Sequence, residues 1–156
     1  MGNQEIKESL KKFIESIDSN RIKLIKLSSE SNENLSGMLQ DQALKRNVNI
    51  NLDSIGTGEQ NDSDLIVFGN YLVEIEDSID EISLVSFKAE YNVILTMGNG
   101  YDYKDNLTEE QQEVVGTYFS QSGKIILFPY VRHSYDMIVR ESGLFLPPLP
   151  PILFKS

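Results

Sequence analysis

Between Arg21 and Met97, outside Ser29–Arg46 and the short polar connections, the apolar residues recur at about every second position, the period of a strand with one face buried. Asn47–Ile55 sets Val48, Ile50 and Leu52 against Asn47, Asn49, Asn51 and Asp53. Asp64–Asp77 gathers Leu65, Val67, Tyr71, Val73 and Ile75 on one side. Glu81–Met97 is the longest run, with Val85, Phe87, Ala89, Tyr91, Val93, Leu95 and Met97 alternating with Ser86, Lys88, Glu90, Asn92, Ile94 and Thr96. Arg21–Ser28 also reads as a strand, but Ile22/Leu24 and Ile25/Leu27 fall on opposite faces, which predicts a bulge. Polar connections are expected at Gly56-Thr57-Gly58 through Ser63 and at Ser78-Ile79-Asp80. Consecutive strands with no helical crossover between them imply an antiparallel sheet.

On either side of the strands the spacing becomes helical. Gln4–Ile17 puts Ile6, Leu10, Phe13, Ile14 and Ile17 on one face, with Glu8 and Lys12 free to pair on the other. It packs on its own core, or it covers a neighbouring subunit or shields a groove, and Asp18-Ser19-Asn20 is expected to end it as a turn. After a break at Gly98-Asn99-Gly100, Thr108-Glu109-Glu110-Gln111 forms a capping box, and Val114, Val115, Tyr118 and Phe119 follow on the helix. Gly123 separates it from a longer helix expected to start near Lys124–Leu127, with Pro129 tolerated in the first turn. Leu127, Val131, Ser134 and Ile138 are expected on its buried face, and Gly143 ends it, with Arg140 in the last turn. The run Phe145–Phe154 (FLPPLPPILF) is too rich in proline for a helix and too apolar for a plain linker.

The reading is therefore an α+β domain over 1–156: an N-terminal helix in 1–20, four antiparallel strands in 21–97, helices in 107–143 and an apolar arm in 144–156. The long helix covers one face of the sheet, and the other face is mixed and solvated. A net charge of −10 argues against phosphate-backbone binding as the main task. With no Cys, disulfides and thiolate chemistry are excluded. No apolar run is long enough to span a membrane, no signal-peptide core is seen, and Ile6 breaks a myristoylation motif at Gly2, so a cytoplasmic location is expected.

Candidate chemistry is sparse. His133 is the lone histidine, and neither triad nor metal partners are evident for it. Gly98-Asn99-Gly100 lacks the continuation of a phosphate loop. Glu74, Glu76, Asp77, Asp80 and Glu81 look like a solvated hairpin end, without the spacing of a calcium loop. Pro147–Pro151 offers PxxP registers, but its Leu and Phe neighbours favour a packed arm over an SH3 ligand. No enzyme is read here, and no cofactor.

What stands out is apolar content beyond obvious internal need. Between the first two strands, Ser29–Arg46 is polar except for Leu35, Met38, Leu39 and Leu44, which either pack inward on a short surface helix or stay open to promiscuous contact. With Phe145, Leu146, Leu149, Ile152, Leu153 and Phe154 of the arm they could line a groove. Such a groove would bind unfolded chains by burial, at roughly 25 cal/mol per Å² of apolar area, and no nucleotide is needed.

The order Ile126-Leu127-Phe128-Pro129-Tyr130 with Arg132, a helix, Gly143, and then the Phe145–Phe154 arm resembles the C-terminal half of SecB, the bacterial export chaperone family. The likeness covers the last third of the chain and extends loosely through the strands. It implies an ATP-independent holdase for unfolded or preprotein clients, with Ser29–Arg46 as the crossover. It also implies a homotetramer, a dimer of dimers. The N-terminal helix departs from that pattern. So does the end at Ser156, where the family usually continues into a second helix and a tail that touches SecA, the export motor. Lys23, Lys26 and Lys88 fall in strands whose surface is acidic in the family, which puts SecA docking in doubt. A SecB-like chaperone dedicated to one client, such as an antitoxin, is the nearest alternative. A non-catalytic protein that uses the arm only to oligomerise is the rival from another class.

Overall fold

The alternating runs pair into one antiparallel sheet. In the computed structural model its strands are β1 (Ile17–Ser31), β2 (Arg46–Asn61), β3 (Leu65–Ile79) and β4 (Ile82–Met97), with α1 (Asn3–Glu15) before them and α2 (Glu109–Ser120) and α3 (Ser122–Glu141) after. The structure describes residues 3–32, 46–61, 64–98, 101, 107–143 and 149. Strand order is β1-β4-β3-β2, so β2, β3 and β4 form a meander while the chain crosses from β1 at one edge to β2 at the other.

The strands are longer than their apolar alternation suggests, because ladder pairing carries polar residues that turn chemistry alone would assign to loops. Asp18-Ser19-Asn20 lies within β1, where Ser19 and Asn20 face Thr96 and Leu95; α1 ends at Glu15 and Ile17 already faces Met97. The expected bulge is present as a register shift between Leu24 and Lys26. Gly56-Thr57-Gly58 is strand as well: a shift between Ser54 and Gly56 absorbs one residue, and the Phe68 ring lies where a Cβ on Gly58 would stand. The β3–β4 turn falls at Asp80-Glu81, both at positive φ (48° and 69°), the geometry of a two-residue type I′ hairpin. Ser78 and Ile79 remain in β3.

One face of the sheet is the core. Val67, Tyr71, Val73 and Ile75 of β3 and Val85, Phe87, Ala89, Tyr91, Val93 and Leu95 of β4 are buried on it, beneath Val114, Val115, Tyr118 and Phe119 of α2 and the buried side of α3. The Thr108–Gln111 capping box starts α2 as expected, and Gly143 (φ +80°) ends the last helix. Between α2 and α3 the helix breaks at Gln121, one turn earlier than expected, so Gly123 lies inside α3 and Pro129 lies in its interior rather than its first turn. Pro129 and Ile125 are both exposed, so the Ile125 carbonyl that Pro129 leaves without its helical donor lies on the solvent side. The buried line of α3 is Gly123, Leu127, Val131, Tyr135 and Val139, with Phe128 beside it; Ser134 and Ile138, expected there, are only half-buried.

The break has a packing cause. The Phe119 ring stands against Gly69 on β3 and Gly123 on α3, and Tyr71 donates its hydroxyl proton to the Phe119 carbonyl. A side chain at either glycine would overlap these rings.

Candidate polypeptide-binding surface

At the hairpin end of the sheet, one carboxylate lies inside. Asp77 is fully buried on the core face of β3. It accepts from Arg46 Nε at 3.0 Å, from Arg46 Nη2 at 2.7 Å and from Tyr135 Oη at 2.6 Å. The expectation that Asp77 belongs to a solvated turn is thus corrected. Its position was legible, since it continues the inward phase of Val73 and Ile75. The hydrogen bond to Asp77 raises the Arg46 pKa. Burial, and then Asp77, raises that of Tyr135. Both carboxylate oxygens are occupied, so the group serves as a fastener joining β2, β3 and α3. Among the described residues no cluster suited to a metal ion is found, and His133 is exposed on α3.

The same end of the sheet holds both flanks of the apolar segment between β1 and β2. Ser31 faces Val85 and the Asn32 amide donates to the Leu84 carbonyl at 2.8 Å, while Arg46 faces Ile79. Asn32 and Arg46, which flank residues 33–45, therefore both lie beside the β3–β4 hairpin. Tyr135 on Asp77 and its ring against Phe87 bring the C-terminal half of α3 to this end too. Leu149 is 1% exposed within the core, and its carbonyl accepts from Arg132 Nε at 2.9 Å, which docks the arm against α3 at that residue.

Two further apolar surfaces are open. Ile125 (66% exposed), Tyr130 and Met137 stand out from α3, with Pro129 and His133 on the same side. Leu24 and Ile25 stand out at the β1 bulge, on a strand whose second edge has no partner strand among the described residues. The outer face of the sheet, opposite the helices, is mixed. By register, Lys23, Lys26 and Lys88 share it with Glu30, Glu74, Glu76 and Glu90, and a cleft of about 430 Å³ there is lined by Glu74, Glu76, Lys88 and Asn51 among others.

This arrangement superposes on a solved structure, the Mycobacterium tuberculosis Rv1957 SecB-like chaperone in complex with a ChAD peptide from the Rv1956 HigA1 antitoxin. The match has a TM-score of 0.63 at 12% identity and covers 96% of this chain and 97% of that one. The fold is SecB-like. No protein-family model and no curated protein sequence matches the chain. The resemblance implied a crossover over Ser29–Arg46; Ser29–Ser31 and Arg46 belong to β1 and β2, which lie at opposite edges of the sheet, and residues 33–45 between them lie outside the described residues. Leu35, Met38, Leu39 and Leu44 are among these, and Phe145, Leu146, Ile152, Leu153 and Phe154 in the arm also lie outside the described residues. Leu149 is placed as floor rather than as open surface. The exposed residues of α3 and β1 were not singled out from sequence; their spacing alone does not say which side of a helix its sheet will take.

Proposed function

We propose that the protein is a chaperone that holds non-native polypeptides without ATP, as the SecB-like frame suggests. What carries the reading is the superposition over nearly the whole chain on a SecB-like chaperone that has a peptide bound. The apolar segment flanked by Ser31 and Arg46 at the hairpin end of the sheet, and the arm docked on α3 at Leu149, support it. Client contacts are assigned to Leu35, Met38, Leu39 and Leu44 with Phe145, Leu146, Ile152, Leu153 and Phe154, and to Leu149, the buried point at which the arm meets α3. Burying two or three large side chains in such a groove gives reversible affinity once ordering costs are subtracted. The working form is a cytoplasmic homotetramer, a dimer of dimers, and the open side of α3 and the β1 edge are the surfaces suited to self-association.

A chaperone dedicated to one client, such as an antitoxin, is favoured over a general export factor by two observations. The neighbouring structure holds an antitoxin peptide, and lysines interrupt the acidic outer face that SecA docking would use. The test is light scattering of a chemically unfolded, aggregating protein, with and without this one and with no ATP. Suppression near one oligomer per client, weakened by Met38→Asp or Leu39→Asp, is the expected result. An assembled sample in several-fold excess that suppresses neither a general substrate nor an aggregating antitoxin would leave only the oligomeric interaction protein.

A further inference from the structure

α1 is attached to the domain in an unusual way. Its outward residues Glu5, Lys7, Glu8, Lys11, Lys12 and Glu15 are exposed, Ile6 and Leu10 are half-buried and Ile14 is 43% exposed. Among the described side chains of α1 only Phe13 is fully buried. Its ring enters an aromatic cradle, edge-on to Tyr118 at 5.3 Å and to Tyr101 at 5.8 Å. Among the described residues, no side chain of α1 makes a hydrogen bond or ion pair with α2 or the sheet. The connection to the sheet is the single residue Ser16, whose carbonyl accepts from the Gly98 amide at 2.7 Å and so fixes the pivot at the end of β4, and β1 starts irregularly, with a register shift between Ile17 and Ser19. A helix of this length has little stability of its own in water, so its docking depends on what it buries: Phe13 fully, and Leu10 in part against the same core. Elements held in this way open well below the free energy of global unfolding.

We propose that the Tyr101–Tyr118 cradle is a binding site for a large aromatic side chain of a client polypeptide, and that α1 is its resident plug. Phe13 shows what the cradle accepts: a flat apolar ring presented from an amphipathic segment, held edge-to-face. A client residue of the same chemistry competes for the same place, and α1 swings away about Ser16 when it wins. Apparent client affinity is then lowered by the fraction of time the plug is in place, and weakening the plug raises it. The inference rests on the polypeptide-binding reading.

The experiment uses the full chain and a synthetic peptide carrying spaced phenylalanines, with a leucine-free, aromatic-free peptide of equal charge as control. In hydrogen exchange on the wild-type protein, saturating peptide should deprotect the α1 amides while β3 and β4 stay protected. Phe13→Ala, checked for an intact sheet by circular dichroism, should bind the peptide about tenfold more tightly. The inference is overturned if the peptide binds with α1 still protected, or binds wild type and Phe13→Ala equally. It is also overturned if α1 protection depends on protein concentration, which would make the occupant the α1 of a second copy. Should neither form bind any peptide, the polypeptide-binding reading itself fails, and the inference with it.

Discussion

Three tyrosines of the inner layer put their hydroxyls in different company. Tyr135 donates to the buried Asp77, and Tyr71 donates to the Phe119 carbonyl. Tyr91 Oη is buried near Ser134 without a well-formed hydrogen bond. Because an unmet buried donor loses its hydration without return, removing it is nearly free, whereas removing a donor from a buried carboxylate is not. Tyr135→Phe should therefore cost about 1.5–3 kcal/mol, and Tyr91→Phe should leave stability unchanged or raise it by up to about 1 kcal/mol. Urea unfolding of both variants at one protein concentration checks the contrast, and equal losses would refute it. At this scale the sequence is partly legible. The phase of the alternation places Asp77 inside, but it does not say that Arg46 and Tyr135, 31 and 58 residues away, will meet it. That pairing is a product of the β2–β3 register and of the way α3 lies across the sheet.

Among the elements, β3 and β4 were legible because each carries a period-two pattern over many residues, and the capping box because its chemistry is local. Boundaries were less so. Asp18-Ser19-Asn20 and Gly56-Thr57-Gly58 have turn composition yet extend strands, since a neighbouring ladder supplies hydrogen bonds that outweigh local preference. The break between α2 and α3 was read from Gly123, but that glycine acts by letting Tyr71 and Phe119 approach, and the helix passes through it. Two helical glycines should consequently answer the same substitution with opposite sign. Gly116→Ala, in α2 with open space at the new Cβ, should stabilise by about 0.5–1 kcal/mol. Gly123→Ala forces a methyl group onto the Tyr71 hydroxyl and the edge of the Phe119 ring, and should destabilise by about 1–3 kcal/mol. Thermal unfolding of the pair decides it; a gain at Gly123 would mean that the α2–α3 junction yields easily.

For the whole molecule, the aromatic packing that joins helices to sheet also sets its response to pH. Burial raises the pKa of Tyr71, Tyr91, Tyr101, Tyr118 and Tyr135 above the ordinary 10.0. Below pH 10 these phenols are protonated in folded and unfolded chains alike, so their contribution is fully present and flat. Above it the unfolded chain loses protons first, and stability falls by about 1.4 kcal/mol per pH unit for each phenol that ionises only on unfolding. The net charge of −10 works in the same direction, but that repulsion is screened by salt, whereas the cost of burying a phenolate is not. Raising the pH beyond about 10.5 should therefore produce one cooperative transition, in which phenolate absorbance rises as the circular dichroism of the sheet is lost. Added salt should shift its midpoint only slightly. If most of the phenolate signal appeared near pH 10 with the sheet intact, the rings would be in contact with water in the native state. The aromatic cradle around Phe13 would then be open, and the close helix–sheet packing on which the fastener at Asp77 depends would have to be redrawn.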